Sequence, residues 1–402
     1  MNKFFKKHIS PIMFVFFVLY YPSYSQMIPV DSLYLGQIPP SYIPQIFHVP
    51  FTMAYPSDRM AISPDGKEIC YGEIYPSPTF TTLSRIKHYT YSKSGWKGPF
   101  VLFGGYATPA FSISGDTLFF QKRDSLFFKK HEDYHTYTFF SIRNDSGWSA
   151  PSRFTKGVDI GGLQVTNSGN YYASINTLFL GVNQGKISKV VINDSNVSFQ
   201  CQGIPTGNEN DFFVSMDESF SIFTTPNRGG FGEGDIFISY RKNDSSWTNP
   251  KNLGPPLNTK DWEHGPYVTP DNKYLIFLRT GEGYQVIYWA RIDKVIDSLK
   301  HTNFAPYLKS QIPNQTSIVG FPFKLQIPEN TFYDDDGNNT LTYSTTLSSG
   351  NPLPAWLSFS VAKQVFSGIP TAADTLTIMV TVTDTANAIA SCTFNLQLFN
   401  KK

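Results

Sequence analysis

The chain has 402 residues, a formal net charge of +2, 16% charged residues, 16% aromatic residues, 29 glycines and 28 prolines. The near-neutral balance, with no basic stripe, excludes a dedicated nucleic-acid binder. Aromatic residues favour strands while Gly and Pro supply turns, so this is the profile of a β-rich, turn-rich protein long enough for two or three domains.

Residues 1–25 read as a secretory signal. Lys3, Lys6 and Lys7 form the positive end, Ile12 to Tyr21 the apolar run, and Ser23-Tyr24-Ser25 precedes Gln26. The other reading, an uncleaved anchor, suits a longer apolar run than this one. No Cys lies near the cleavage site, and no later segment reads as a membrane span. An exported protein is expected, in the periplasm, on the cell surface or outside, with no transmembrane span after signal removal.

From residue 26 to about 302 a pattern recurs every fifty residues or so: an apolar stretch, a tight polar turn, a second apolar stretch. The turns are Ser63-Pro64-Asp65-Gly66, Ser114-Gly115-Asp116-Thr117, Asn167-Ser168-Gly169-Asn170, Met216-Asp217-Glu218-Ser219 and Pro270-Asp271-Asn272-Lys273, with Ser63, Ser114, Asn167, Met216 and Thr269 as phase markers. Such a period signals a repeat architecture. Between successive turns the sequence alternates through two further short strands, as in Asp235 to Tyr240. Four short antiparallel strands per repeat is the anatomy of a β-propeller blade. Five blades are visible, and a sixth remains open. Trp96, Trp148 and Trp247, each followed three residues later by Pro, keep the same phase and read as packing between blades. Repeat three has Val197 in place of the Trp. Repeat five lacks a clear fourth strand. The segment Met27 to Met53 is expected to supply it and close the ring, since open sheet edges are a liability. The alternative is a strap along the outside.

Ile292 to Lys300 reads as a short helix. From Asn303 onward the period ends, and about 95 residues of short alternating strands, among them Phe321 to Ile327 and Thr377 to Thr383, suit one β-sandwich. The expected organisation is a signal peptide (1–25), a β-propeller (26–302) and a sandwich (303–402). Cys70, Cys201 and Cys392 are expected to be buried small apolar residues.

The repeats resemble the TolB-like, WD-type propeller repeats of exported bacterial proteins. Gly234-Asp235-Ile236-Phe237-Ile238-Ser239-Tyr240 through Trp247 to Asn252-Leu253-Gly254 carries that resemblance most strongly. The C-terminal segment is similar to a dystroglycan-type cadherin-like domain of Ig-like fold. The residues that carry it are Pro328-Glu329-Asn330, Asp334-Asp335-Asp336-Gly337-Asn338, Leu341-Thr342-Tyr343, Pro354 to Phe359, Phe366 to Pro370 and Val382-Thr383-Asp384. The first resemblance implies a binding platform. The second implies calcium ligands at Glu329, Asp334, Asp336 and Asp384; Asn338, standing where a further acid is common, lowers the ligand charge. The other reading of the acidic run is a solvated turn.

A second candidate lies where two repeats enter their first strand, through Asn208-Glu209-Asn210-Asp211-Phe212 and Trp262-Glu263-His264-Gly265-Pro266. Glu209 and Glu263 match in position. With Asp211, Trp262 and His264 they are expected to line the channel mouth and to hold a sugar or a peptide amine, unless the acids only cap turns. No nucleophile elbow, phosphate loop, zinc-protease helix or Cys-rich metal spacing is present, and His131 with His135 reads as a solvated loop. The expected function is a non-catalytic binding or adhesion protein with a protein or glycan partner in the envelope or outside. The alternatives are a glycan-active hydrolase or lyase using acids at the channel mouth, and a purely structural role in envelope assembly.

Overall fold

The structure is a computed structural model that describes residues 28–51, 55–75, 83–123, 136–154, 160–175, 187–193, 196–202, 211–226 and 230–401. The signal segment, Glu209 and the His131/His135 pair lie outside the described residues.

Five antiparallel sheets follow one another along the first three-quarters of the chain. After β1 (Gln45–Ile46), blade one runs outward from the axis as β2 (Tyr55–Ile62), β3 (Glu68–Tyr75), β4 (Leu83–Ser92) and β5 (Gly95–Gly104). Blade two is β6 (Ala107–Phe111), β7 (Thr117–Arg123), β8 (Thr136–Asn144) and β10 (Ser152–Arg153), with β9 (Gly147–Trp148) extending β8. Blade three is β11 (Ile160–Val165), β12 (Tyr171–Ile175), β13 (Ile187–Asn193) and β14 (Asn196–Cys201). Blade four is β15 (Phe212–Val214), β16 (Phe220–Thr225), β17 (Asp235–Tyr240) and β18 (Lys251–Asn252). Blade five is β19 (Trp262–Val268), β20 (Tyr274–Gly281) and β21 (Tyr284–Arg291), completed by β1 from the start of the chain. The innermost strands touch in cyclic order, β2 to β6 to β11 to β15 to β19 and back to β2, so the five sheets form a closed ring.

The repeat is written in one turn. Ser63, Ser112, Ser215 and Thr269 each accept, through the side-chain oxygen, the amide N–H five residues on, at 2.9–3.1 Å. Three residues after the hydroxyl the backbone takes positive φ, at Gly66, Gly115, Gly169, Glu218 and Asn272, where Gly and Asn are at home and Glu is strained. The phase markers are therefore Ser112, Thr166 and Ser215 in repeats two to four, one or two residues before those expected, because the hydroxyl and not the turn apex is what repeats.

The fourth strand of blade five comes from the N-terminal segment. Gln45 and Ile46 pair antiparallel with Trp289 and Tyr288, and the Phe47 amide donates to the Ile287 carbonyl at 2.9 Å. Phe47 is 1% exposed and meets Trp289 edge to face at 5.2 Å. The same segment is also a strap: the Tyr34 hydroxyl donates to Asp271 of blade five at 3.0 Å, and Trp96 Nε1 of blade one donates to the Ser32 carbonyl at 2.7 Å. Burial and the Asp271 charge push the Tyr34 phenol well above its ordinary pKa. Of the cysteines, Cys70 and Cys392 are buried as expected, while Cys201, on the outermost strand of blade three, is exposed.

The helix α1 (Asp293–Lys300) packs Val295, Ile296 and Leu299 on the core shared by blades four and five. No helix among the described residues is long and apolar enough to cross a membrane. The remaining chain is a sandwich. One sheet runs β23 (Gln315–Ile318), β30 (Ile389–Phe399), β29 (Thr375–Thr383), β26 (Thr342–Leu347). The other runs β24 (Phe323–Gln326), β28 (Val365–Gly368), β27 (Leu357–Ser360), with β22 (Tyr307–Leu308) and β25 (Phe332–Tyr333) as a separate pair. Strands β29 and β30 alternate buried and open residues along their length, as a one-sided sheet requires. Phe332, Phe366, Ile378, Val380, Phe394 and Leu396 fill the core.

Because Phe47 is buried against Trp289 and Ile46 is 42% exposed, the two neighbours should differ sharply. Phe47→Ala should cost about 3–5 kcal/mol in urea unfolding, whereas Ile46→Ala should cost about 0.5 kcal/mol or less.

Candidate functional site

At the axis the innermost strands do not run smoothly. Register slips between Ser57 and Met60, Ala107 and Ala110, Gly161 and Gln164, and His264 and Tyr267. These are bulges, which re-aim side chains. Gly162 and Gly265 take positive φ there, and Thr108 does the same at φ 54, a strained state for a β-branched residue.

Side chains then cross from blade to blade. Arg59, 6% exposed, reaches from blade one to the Leu163 carbonyl of blade three at 3.0 Å. Gln164 of blade three takes the Val214 amide of blade four at 3.0 Å and donates to the Val214 carbonyl. The Tyr267 hydroxyl of blade five bridges the Ile62 amide and carbonyl of blade one, both at 3.1 Å, and burial pushes its pKa up to about 12. The centre of the ring is thus knitted together by buried polar side chains.

Further out, two carboxylates pin neighbouring blades. Glu68 of blade one receives both Arg143 Nη atoms of blade two, at 2.8 and 2.9 Å, and lies 3.2 Å from His88. Glu218, 5% exposed, accepts from Thr166, Asn170 and Tyr172 of blade three at 2.6–2.8 Å and pairs with Arg241. Although burial opposes it, this set of donors holds the Glu218 carboxyl down at about 2. Its side-chain bonds give a reason for a Glu at a strained position where sister repeats place Gly or Asn.

The four described residues of the expected channel mouth divide. Glu263 is fully buried; it accepts from Thr259 N at 3.0 Å, from Thr259 Oγ1 at 2.5 Å and from Arg279 Nε at 2.7 Å. Its two oxygens thus hold Thr259 and Arg279, the contacts of an acid that caps a turn. Asp211, Trp262 and His264 do come together at the seam of blades four and five. His264 Nδ1 lies 3.5 Å from Asp211 Oδ2 and its Nε2 2.9 Å from Thr280 Oγ1. The Trp262 indole, 43% exposed, lies 5.9 Å from the His264 ring, centroid to centroid. It rests on Gly234, where a Cβ would come within 2.5 Å of it, so the glycine makes the platform possible.

In the sandwich, Asp334 is 2% exposed and its Oδ2 has no hydrogen-bond partner in the protein. Burial first, then the charges of Asp336, Asp384 and Asp335, raise its pKa. Asp384 accepts from Asn303 Nδ2, Ala388 N and Ala386 N, each at 2.8 Å, and these bonds lower its pKa. Asp336 accepts the Phe304 amide at 2.6 Å. Glu329, like Asp336, is exposed. Among the described residues no three His, Cys, Asp or Glu side chains are already placed as a metal cage. Asp335, between the two cluster acids, instead docks the sandwich on blade four. It pairs with Lys242 at 3.0 Å and accepts the Asn249 amide, and Lys242 also donates to the Tyr333 hydroxyl at 2.8 Å. Lys251 clamps the linker through the Leu299 and Thr302 carbonyls at 2.7 and 2.8 Å, and burial lowers its pKa to about 8.

Arg59, Gln164, Glu218 and Asp335 were not singled out from the sequence. Only Glu218 carried a signal, as an acid at a turn position otherwise held by Gly or Asn.

Residues 305–398 match a family model described as "Putative Ig domain". No match is found among curated proteins. Among solved structures the chain is similar to TolB from Acinetobacter baumannii, at 14% identity over 59% of this chain and 52% of that one, with a TM-score of 0.40. The periplasmic gluconolactonase PpgL of Pseudomonas aeruginosa is 9% identical over 85% of each chain, with a TM-score of 0.34. An oligogalacturonate lyase from Vibrio parahaemolyticus is 11% identical over 61% of this chain and 68% of that one, with a TM-score of 0.33. The chain thus spans about half the length of TolB, and at these scores the likenesses say nothing about activity.

Two expected outcomes separate structural acids from binding ones. Glu263→Ala leaves Arg279 buried without its partner and should cost about 3–5 kcal/mol in urea unfolding; unchanged stability would return Glu263 to the list of ligand contacts. The depressed Glu218 pKa means its stabilisation is complete above the ordinary carboxylate value of 4.5 and drains away as pH falls towards about 2. Glu218→Gln should therefore cost roughly 2–4 kcal/mol at pH 7, with the gap from wild type narrowing steadily below pH 4.5.

Proposed function

We propose that this is an exported, non-catalytic binding protein whose propeller presents the seam of blades four and five to a protein or glycan partner, with the sandwich as a docked accessory module. The observation that carries this reading is the use to which the buried polar groups are put. Arg59, Gln164 and Tyr267 knit the ring's centre, and Glu263 is locked to Arg279. What the seam offers instead is recognition chemistry: an open indole for the apolar face of a sugar or side chain, with the Asp211–His264 pair beside it.

Affinity electrophoresis against a panel of soluble polysaccharides, run beside assays for new reducing ends and unsaturated products, tests it. Retention without product is expected, weakened about tenfold or more by Trp262→Ala, in line with loss of an aromatic anchor. Product formation abolished by a change at Asp211 or His264 would instead establish the hydrolase or lyase.

A second reading concerns the sandwich, which we propose is of the cadherin-like type. The buried, unpartnered Asp334 Oδ2 supports a calcium ion held by Asp334, Asp336 and Asp384, since calcium takes carboxylate and carbonyl oxygens and relieves the repulsion among these acids. Glu329, exposed like Asp336, stays in the set as the fourth ligand to be tested. A raised folded-state pKa means that the charge on Asp334 costs stability, and that this cost grows as pH rises through that pKa. In calcium-free buffer at pH 7, Asp334→Asn should therefore melt higher than wild type. Millimolar calcium should raise the melting temperature of the full-length wild type and leave the Asn variant unmoved. A wild type indifferent to both calcium and chelator removes calcium from the account.

A further inference from the structure

The two ends of the sandwich are unlike. Asp384 lies in the turn between β29 and β30, close to Asp334, Asp335 and Asp336, at the end that meets blade four. Phe399 closes β30 at the other end, where three stretches of chain meet. Ile318 of β23 stands beside Phe399 in register. The Phe321 amide donates to the Ile318 carbonyl at 3.1 Å, and the Gly320 amide donates to the Pro370 carbonyl at 2.9 Å, next to Ile369. Ile318, Phe321, Ile369 and Phe399 are each 45–51% exposed. Lys401 holds its Nζ 5.2 Å from the centre of the Phe321 ring. Lys324, three residues beyond Phe321, is also exposed, and Asp374 is the acid that stands among them.

Single apolar side chains on a surface need no explanation, but a group of four does. Together they offer roughly 400 Å², about half of what each side of an ordinary protein interface buries. The patch does not spread to reach that size: the outer face of β30 that leads away from it carries exposed Ser391, Thr393, Asn395 and Gln397. Nor does it lie along a sheet edge made for strand pairing, since β23 is four residues long and short edges resist pairing. The apolar groups stand instead at strand ends and turns, with lysines beside them. That arrangement suits shallow entry into a lipid surface, with the apolar side chains among the acyl chains and the ammonium groups held at the headgroups. The acids at the opposite end of the sandwich would be repelled by an anionic surface, so charge also favours this end facing it.

We propose that this tip of the sandwich docks on an anionic lipid surface, with Ile318, Phe321, Ile369 and Phe399 entering the interface and Lys324 and Lys401 meeting the headgroups. The surface is separate from the blade four–five seam, so a protein held in this way keeps Trp262 open for its own ligand.

The experiment is flotation of the chain from Gln26 onward, the expected exported form, with vesicles of phosphatidylcholine alone and of phosphatidylcholine mixed equally with phosphatidylglycerol. The mixed vesicles should carry the protein, and phosphatidylcholine alone should bind it about fivefold more weakly or worse, with the difference shrinking as salt rises. The double variant Phe321→Ser/Phe399→Ser should lose about tenfold or more of the binding while keeping the wild-type circular dichroism. Lys401→Glu leaves the core untouched and provides a second test should the double variant fail to fold; it should weaken binding to the mixed vesicles about threefold or more. Trp262→Ala should float as wild type does, which keeps this surface apart from the seam. Sedimentation velocity of wild type and double variant identifies the other occupant, a second copy of the chain. No flotation, equal flotation with both vesicle types, binding unchanged in the folded double variant or in Lys401→Glu, or a wild-type dimer that the double variant lacks would overturn the proposal.

Discussion

A ring of sheets is stable only when it closes. Each blade is apolar on both faces, so every face needs a neighbour, and the last blade needs the first. Here closure rests on a two-residue backbone pairing, Gln45–Ile46 on Tyr288–Trp289, backed by the burial of Phe47 against Trp289. The strand that completes blade five comes from the opposite end of the propeller sequence, so the ends of the domain hold each other. The strap before it adds two more ties across blades one and five, through Tyr34 and Trp96.

Closure sets the chemistry available at the centre. Four of the five inner strands brought to the axis carry bulges, and the polar groups buried there must be satisfied. Arg59, Gln164 and Tyr267 do this by bonding to backbone groups across blades, which makes the ring's interior a structural network. Away from this network, Trp262 stands open to solvent against Gly234 at the seam of blades four and five. The sandwich is fastened to blade four by the same logic, with buried Asp335 paired to Lys242.

Much of the fold was legible because it repeats. The hydroxyl turn near Ser63 and Thr269 imposes its own local geometry, and five copies of a local rule are hard to miss. The alternation in β29 and β30 made the sandwich legible for the same reason. The site was less so. Glu209 and Glu263 matched in sequence position, yet Glu263 is sealed in by Arg279, a residue sixteen positions away whose facing partner is set by strand register. Arg59 looks like any polar residue at the edge of an apolar strand until a bulge turns it across the axis. Cys201 reads like Cys70, and only the order of strands within the blade separates an exposed outermost edge from a buried second strand.

The sequence by itself determined the period, the blade plan, the helix after the ring and the change of grammar at residue 303, because turns and alternation act over a few residues. The tertiary structure decided which acids face solvent, which cations they meet, how the N-terminal segment divides between strap and strand, and where the docked module touches blade four. Those outcomes depend on side chains drawn from tens to hundreds of residues apart, such as Tyr34 with Asp271 and Lys242 with Asp335. Their energies exist only once closure has removed water from between them.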